Sequence, residues 1–69
     1  MMQRISTLEI RILQCLEQGL KNHEIAAIVD RQEPTIEGYI RVLGLKLCAQ
    51  NRQHLIAQAY AQGVLRVSG

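Results

Sequence analysis

Few side chains in this sequence have the type and spacing for bond-making chemistry. Ser6 followed by Glu9 is spaced as a capping box, in which serine oxygen and glutamate carboxylate each accept a backbone N–H at a helix start. No base is placed to activate that serine as a nucleophile. Cys15, His23, Cys48 and His54 are zinc-type ligands, but their spacings match no metal pattern. There is no glycine-rich phosphate loop and no paired set of carboxylates for acid–base work. The reading is therefore no enzyme, no metal and no cofactor. The chemistry left to the polar side chains is recognition.

Recognition needs a scaffold, and the scaffold is legible around residues 33–47. Ile36, Ile40, Leu43 and Leu47 are spaced four, three and four apart, which at about 100° per residue gives one apolar stripe on a helix. Pro34 fits only a first turn, where its missing N–H has no partner to lose. Before it, Ile5, Glu9, Ile12, Leu13 and Leu16 share a face of a first helix over 7–18, capped by Ser6 and stopped by Gly19 in a left-handed conformation. Ile25, Ala26, Ile28 and Val29 mark a short second helix over 22–29, with Asn22 expected as its N-cap. Residues 30–32 form a turn into the helix over 33–47. A short helix, a turn and a longer helix make the layout of a helix-turn-helix, whose second helix enters a DNA major groove.

After a break at residues 48–51, Asn51 is placed to cap a fourth helix over 52–62. Leu55, Ile56 and Ala59 point to one side, as expected for the core. Ala57, Tyr60, Ala61 and Val64 make a second apolar side. A last helix with two apolar sides predicts a symmetric interface with a second copy, and small alanines permit close approach. Residues 66–69 are expected to fray.

Bulk properties agree with a small helical domain. The chain has 69 residues, 48% hydrophobic, with no Phe or Trp and two Tyr. Its core must therefore come from aliphatic residues, and so small a domain gains from dimerisation. The net charge of +2 permits nucleic-acid binding without arguing for it. No signal peptide or membrane span is visible. Both cysteines sit in helical patterns and read as free, buried thiols in a reducing cytoplasm.

Four blocks in order resemble the LuxR/GerE-type helix-turn-helix of bacterial response regulators and quorum-sensing receptors. They are Ile5-Ser6-Thr7-Leu8-Glu9, Gly19-Leu20-Lys21-Asn22-His23-Glu24-Ile25-Ala26, Thr35 through Leu47, and Asn51-Arg52 with the run from Ala59 to Leu65. The resemblance implies an all-α, four-helix fold, with a recognition helix over 33–47 and a dimerisation helix over 52–62. It also implies a DNA contact set from Lys21, Asn22, Arg31, Gln32, Thr35, Tyr39, Arg41, Lys46 and Arg52. Among these, Arg41 carries the planar fork that reads guanine from the middle of the exposed face. Lys21, Lys46 and Arg52 are expected to hold phosphates, fixing orientation without reading sequence.

Several positions depart from the family's pattern. Glu37 stands where a lysine commonly meets DNA, and could lie in a surface ion pair with Lys21 or Arg41. Tyr39 replaces a histidine. Gly38, Val42 and Leu45 on the third helix, and Leu8 and Ile10 on the first, replace polar residues. That apolar set suits a protein surface. The expectation is thus a cytoplasmic, homodimeric transcriptional regulator that binds duplex DNA. With no receiver or ligand-binding domain, it would be governed by its abundance or by a partner. The rival expectation is an antiactivator, which engages another regulatory protein through the same fold.

Overall fold

The computed structural model describes residues 4–67. Over them the chain forms four helices and no strand: α1 (Thr7–Glu17), α2 (Asn22–Val29), α3 (Glu33–Leu47) and α4 (Arg52–Ala61). Of the tail expected to fray, Arg66 and Val67 are irregular and exposed; Ser68 and Gly69 lie outside the described residues.

Each helix end has an identifiable chemical cause. At the start of α1 the capping box is complete. The Glu9 N–H donates to Ser6 Oγ at 3.1 Å, and the Ser6 N–H donates to Glu9 Oε1 at 2.8 Å. At its end Gly19 takes φ +80°. The Gly19 and Leu20 N–H groups then reach back to the carbonyls of Leu16 and Cys15, at 3.0 and 3.2 Å. That pair of bonds is a Schellman stop, and Leu20 completes it by packing on the core.

The bounds of α2 are those expected, but its cap is not. Lys21, not Asn22, holds the cap position, and Asn22 is the first helical residue. Lys21 has no side-chain acceptor, so Glu24, three residues on, supplies one by accepting the Lys21 N–H at 2.8 Å. Asp30 ends α2 in the left-handed region at φ 57°, which a short polar side chain tolerates.

Cys48 ends α3 at φ 57°. It is exposed rather than buried, because a left-handed cap turns the chain away from the helix's buried face. Only Cys15 fits the expectation of a buried thiol. The last carbonyls of α3 are met from α4. Gln58 Nε2 donates to Leu47 O at 3.1 Å and Cys48 O at 3.3 Å, and Gln62 Nε2 to Leu47 O at 3.0 Å. Asn51 caps α4 as expected, its Oδ1 accepting the His54 N–H at 2.8 Å.

The core is aliphatic, as a chain without Phe or Trp requires. Ile12 and Leu13 of α1, Ile25 of α2, Ile36 and Leu43 of α3 and Leu55 of α4 are its largest fully buried side chains. Since α3 packs against all three other helices, its direction is fixed from three sides. One charged residue is buried with this core. Glu9 is 3% exposed, and Lys46 Nζ reaches its two carboxylate oxygens at 3.0 and 2.9 Å while also donating to the Arg4 carbonyl at 3.0 Å. Burial alone raises the Glu9 pKa; the Ser6 N–H, Lys46 and the Ser6 side chain outweigh it and leave it below the ordinary 4.5.

Lys46→Met therefore leaves a buried carboxylate without its cation and should cost about 2–3 kcal/mol, below the usual loss for a broken buried pair because Lys46 is partly exposed. Because the folded pKa is depressed, the Glu9 contribution is complete above its unfolded value and is lost as pH falls through the folded one. Urea midpoints of wild type should fall on acidification below about pH 4.5, and more shallowly in Lys46→Met. Identical midpoints and acid profiles would show that this ion pair contributes nothing to stability.

Candidate nucleic-acid interface

The turn between α2 and α3 holds the two helices as a packed pair, with Ile25, Ala26 and Val29 on one side and Ile36 and Leu43 on the other. Packing on those residues turns the opposite face of α3 to solvent. Thr35, Glu37, Gly38, Arg41, Val42 and Leu45 are all exposed on that side. A Cβ placed on Gly38 would meet nothing within 4 Å, so this glycine is not required by internal packing.

The basic and polar residues expected at DNA divide sharply once their partners are known. Lys46 is the internal cation of Glu9, which corrects its reading as a free phosphate contact. Arg52 bonds the Asn22 Oδ1 and the Leu20 carbonyl, pinning the start of α4 to the start of α2 and occupying the Asn22 side chain as well. Arg31 folds back on the carbonyls of Val29 at 3.3 Å and Asp30 at 3.1 Å, where a cation complements the negative end of a helix. Tyr39 is half-buried and packs against the core. Gln32 and Thr35 are exposed. Lys21 and Arg41 are exposed, and no hydrogen bond or ion pair within the described residues engages their charged groups. Arg41 thus stands alone on the outer face of α3 as an unoccupied guanidinium.

Sequence reasoning missed this division for a definable reason. A charge shows in the sequence, but its partner 30 or more residues away does not. The one available signal was Glu9 itself, an acid on an apolar stripe, which demands a buried cation from elsewhere. The ion pair considered for Glu37 is not formed; among the described residues the single ion pair is Lys46–Glu9.

The apolar positions also separate. Val42 is 43% exposed and Leu45 76% exposed, and with Gly38 they form a strip on the outer face. Leu8 instead packs against the core and is not free surface, while Ile10 is half-buried. A shallow hollow of about 550 Å³ continues the strip toward α1, lined in part by Thr35, Gly38, Tyr39 and Val42. The expected outer face of α4 is smaller than the sequence implied. Ala57 and Ala61 are exposed, Tyr60 leans on the core, and Val64 lies beyond the end of the helix and also packs inward. Of the zinc-type residues, His54 Nδ1 accepts the Gln50 N–H at 3.1 Å, and among the described residues no cluster of metal-ligating side chains forms.

The sequence matches the family described as bacterial regulatory proteins, luxR family (GerE), over residues 3–59. The chain belongs to that family. Its helix-turn-helix is a LuxR-type DNA-binding regulatory domain, a fold that serves regulation rather than catalysis. Among solved structures it is similar to the response regulator ChrA of a heme-sensing two-component system, with a TM-score of 0.86 and 38% identity. That likeness covers 91% of this chain and 31% of the other, so the chain spans less than a third of that response regulator. No curated protein gives a significant match. Among the described residues, no helix is long and apolar enough to cross a membrane.

The partner assignments give a direct expectation for duplex binding. Each phosphate that loses its neutralising cation should lower the slope of log affinity against log salt by about 0.9. Lys21→Ala should reduce the slope by that amount. Lys46→Met, assayed at a temperature where it is folded, should leave the slope unchanged. A reduced slope for Lys46→Met would place its ammonium on DNA and not on Glu9.

Proposed function

We propose that this LuxR-type domain acts as a small transcriptional regulator that binds duplex DNA as a homodimer, with α3 in the major groove. The observation that carries the reading is Arg41. It is exposed, unpaired and central on the one face of α3 that no other helix covers, while the neighbouring cations are held within the protein. In the groove its fork donates to guanine O6 and N7, and Lys21, at the positive N-terminal end of α2, contributes a phosphate contact. The dimer rests on Ala57 and Ala61, small exposed residues one turn apart on α4 that permit close antiparallel approach.

A second reading, an antiactivator that engages another regulatory protein, is favoured by one specific observation: Gly38, Val42 and Leu45 expose a continuous apolar strip on the same face. Covering both aliphatics would contribute roughly 2–4 kcal/mol before association losses. The two readings compete for one surface, so a single experiment separates them.

Selection from a pool of random duplexes at low salt should enrich a motif containing a guanine whose preference is lost in Arg41→Ala. Sedimentation should give a dimer for wild type and a monomer for Ala61→Glu, which sets like charges against each other across a two-fold contact at a loss of several kcal/mol. Failure to enrich any motif with a folded dimer would overturn the DNA reading and leave the protein-binding one. A dimer unchanged by Ala61→Glu would exclude the α4 interface.

A further inference from the structure

Glu37 is the residue hardest to reconcile with a DNA-facing helix, since a carboxylate there is repelled by phosphate. Its surroundings show that no structural role holds it in place. It is exposed on α3 and forms no hydrogen bond or ion pair within the described residues. Arg41, four residues on, is exposed and equally unengaged. Glutamate preceding a cation by four residues is the favourable order for a pair along a helix, yet the two side chains remain apart. They project from one flank of α3, about 40° apart around the axis and about 6 Å apart along it. Gly38 lies beside them with open space where a side chain would be, so the backbone at this turn can approach a surface closely.

We infer that Glu37 and Arg41 act together as a base-reading pair, Arg41 on a guanine and Glu37 on a cytosine of a nearby base pair. This rests on the DNA-binding reading above. An ionised carboxylate only accepts hydrogen bonds, so it is excluded from the guanine edge, which offers acceptors at N7 and O6. The major groove offers it two donors, the N4 amino group of cytosine and the N6 amino group of adenine. Adenine N6 is flanked by acceptors on both sides, its own N7 and the O4 of the paired thymine, which repel the second carboxylate oxygen; cytosine N4 has an acceptor on one side only, the O6 of the paired guanine, and a C5–H on the other. Cytosine is therefore the base that Glu37 selects. The same charge lowers affinity for DNA at large, because it adds repulsion at every sequence. Glu37 thus trades general affinity for discrimination.

The test compares selected motifs and affinities for wild type, Glu37→Gln, Glu37→Ala and Arg41→Ala, each confirmed as folded by circular dichroism. Wild type should enrich a motif with guanine and cytosine columns one or two base pairs apart. In Glu37→Gln the cytosine column should change to adenine, because an amide donates to N7 and accepts from N6, while the guanine column persists. In Glu37→Ala the cytosine preference should fall by about 5- to 150-fold, the range for removing a good base-reading side chain, as affinity for unrelated duplexes rises. Arg41→Ala should flatten the guanine column alone. An enriched motif that Glu37→Gln leaves unaltered overturns the cytosine assignment and leaves the DNA reading standing. So does a Glu37→Ala variant that gains affinity for all duplexes without losing discrimination. If wild type enriches no motif, the DNA reading fails and this inference fails with it.

Discussion

One buried carboxylate ties the start of α1 to the end of α3. Glu9 accepts the Ser6 N–H and so starts α1, and it holds Lys46, two residues before the Cys48 cap of α3. It therefore sets the position of α1 against the far end of the helix whose outer face is the candidate interface. Lys46 extends the same network to the Arg4 carbonyl, tying down the segment that leads into α1. A charge in this environment is tolerable because both carboxylate oxygens have donors; among the described residues no buried side-chain polar atom lacks a partner. What this network gains in net stability over an apolar replacement is small in general. What it supplies is a register between α1 and α3 that an aliphatic contact would leave less sharply defined.

The remaining polar bonds between helices serve the same end. Gln58 and Gln62 close the carbonyl end of α3, and Arg52 joins the start of α4 to the start of α2. Together with packing from three helices, these fix α3 at its carbonyl end and along its buried side. A rigidly mounted helix with one free face is what base readout requires, since the contacts are short and directional. Among the cations expected at DNA, those used in mounting are engaged within the protein, and Arg41 and Lys21 are the open ones.

The four helices and most of their ends were legible in the sequence, because periodicity and capping are local. Ser6 with Glu9, Gly19, Pro34 and Asn51 each mark a boundary within a few residues of themselves. The bounds of α2 were read as they stand, but its cap was misplaced by one residue because Asn22 is a good cap by type. The deciding bond, from the Lys21 N–H to Glu24, is made by a residue outside the usual capping set. The site was legible only in outline. The outer face of α3 follows from the stripe on its inner face, but the commitments of Lys46, Arg52 and Asn22 depend on partners 30 to 42 residues distant. Leu8 and Cys48 exchanged roles for a similar reason. Exposure depends on how neighbouring elements turn, and Cys48 sits in a left-handed cap that turns outward.

If the free face of α3 is the surface that meets DNA, the backbone amides there must sense a bound duplex. Titrating an isotope-labelled sample with a short duplex at low salt, and following backbone amide shifts, tests this residue by residue. Shifts should concentrate on Lys21, the turn before α3, and Thr35, Gly38, Arg41 and Leu45, with the amides of Ile12, Leu16 and Ala57 undisturbed. Shifts confined to α1 or α4, or none at all at a duplex concentration well above that of the protein, would contradict it.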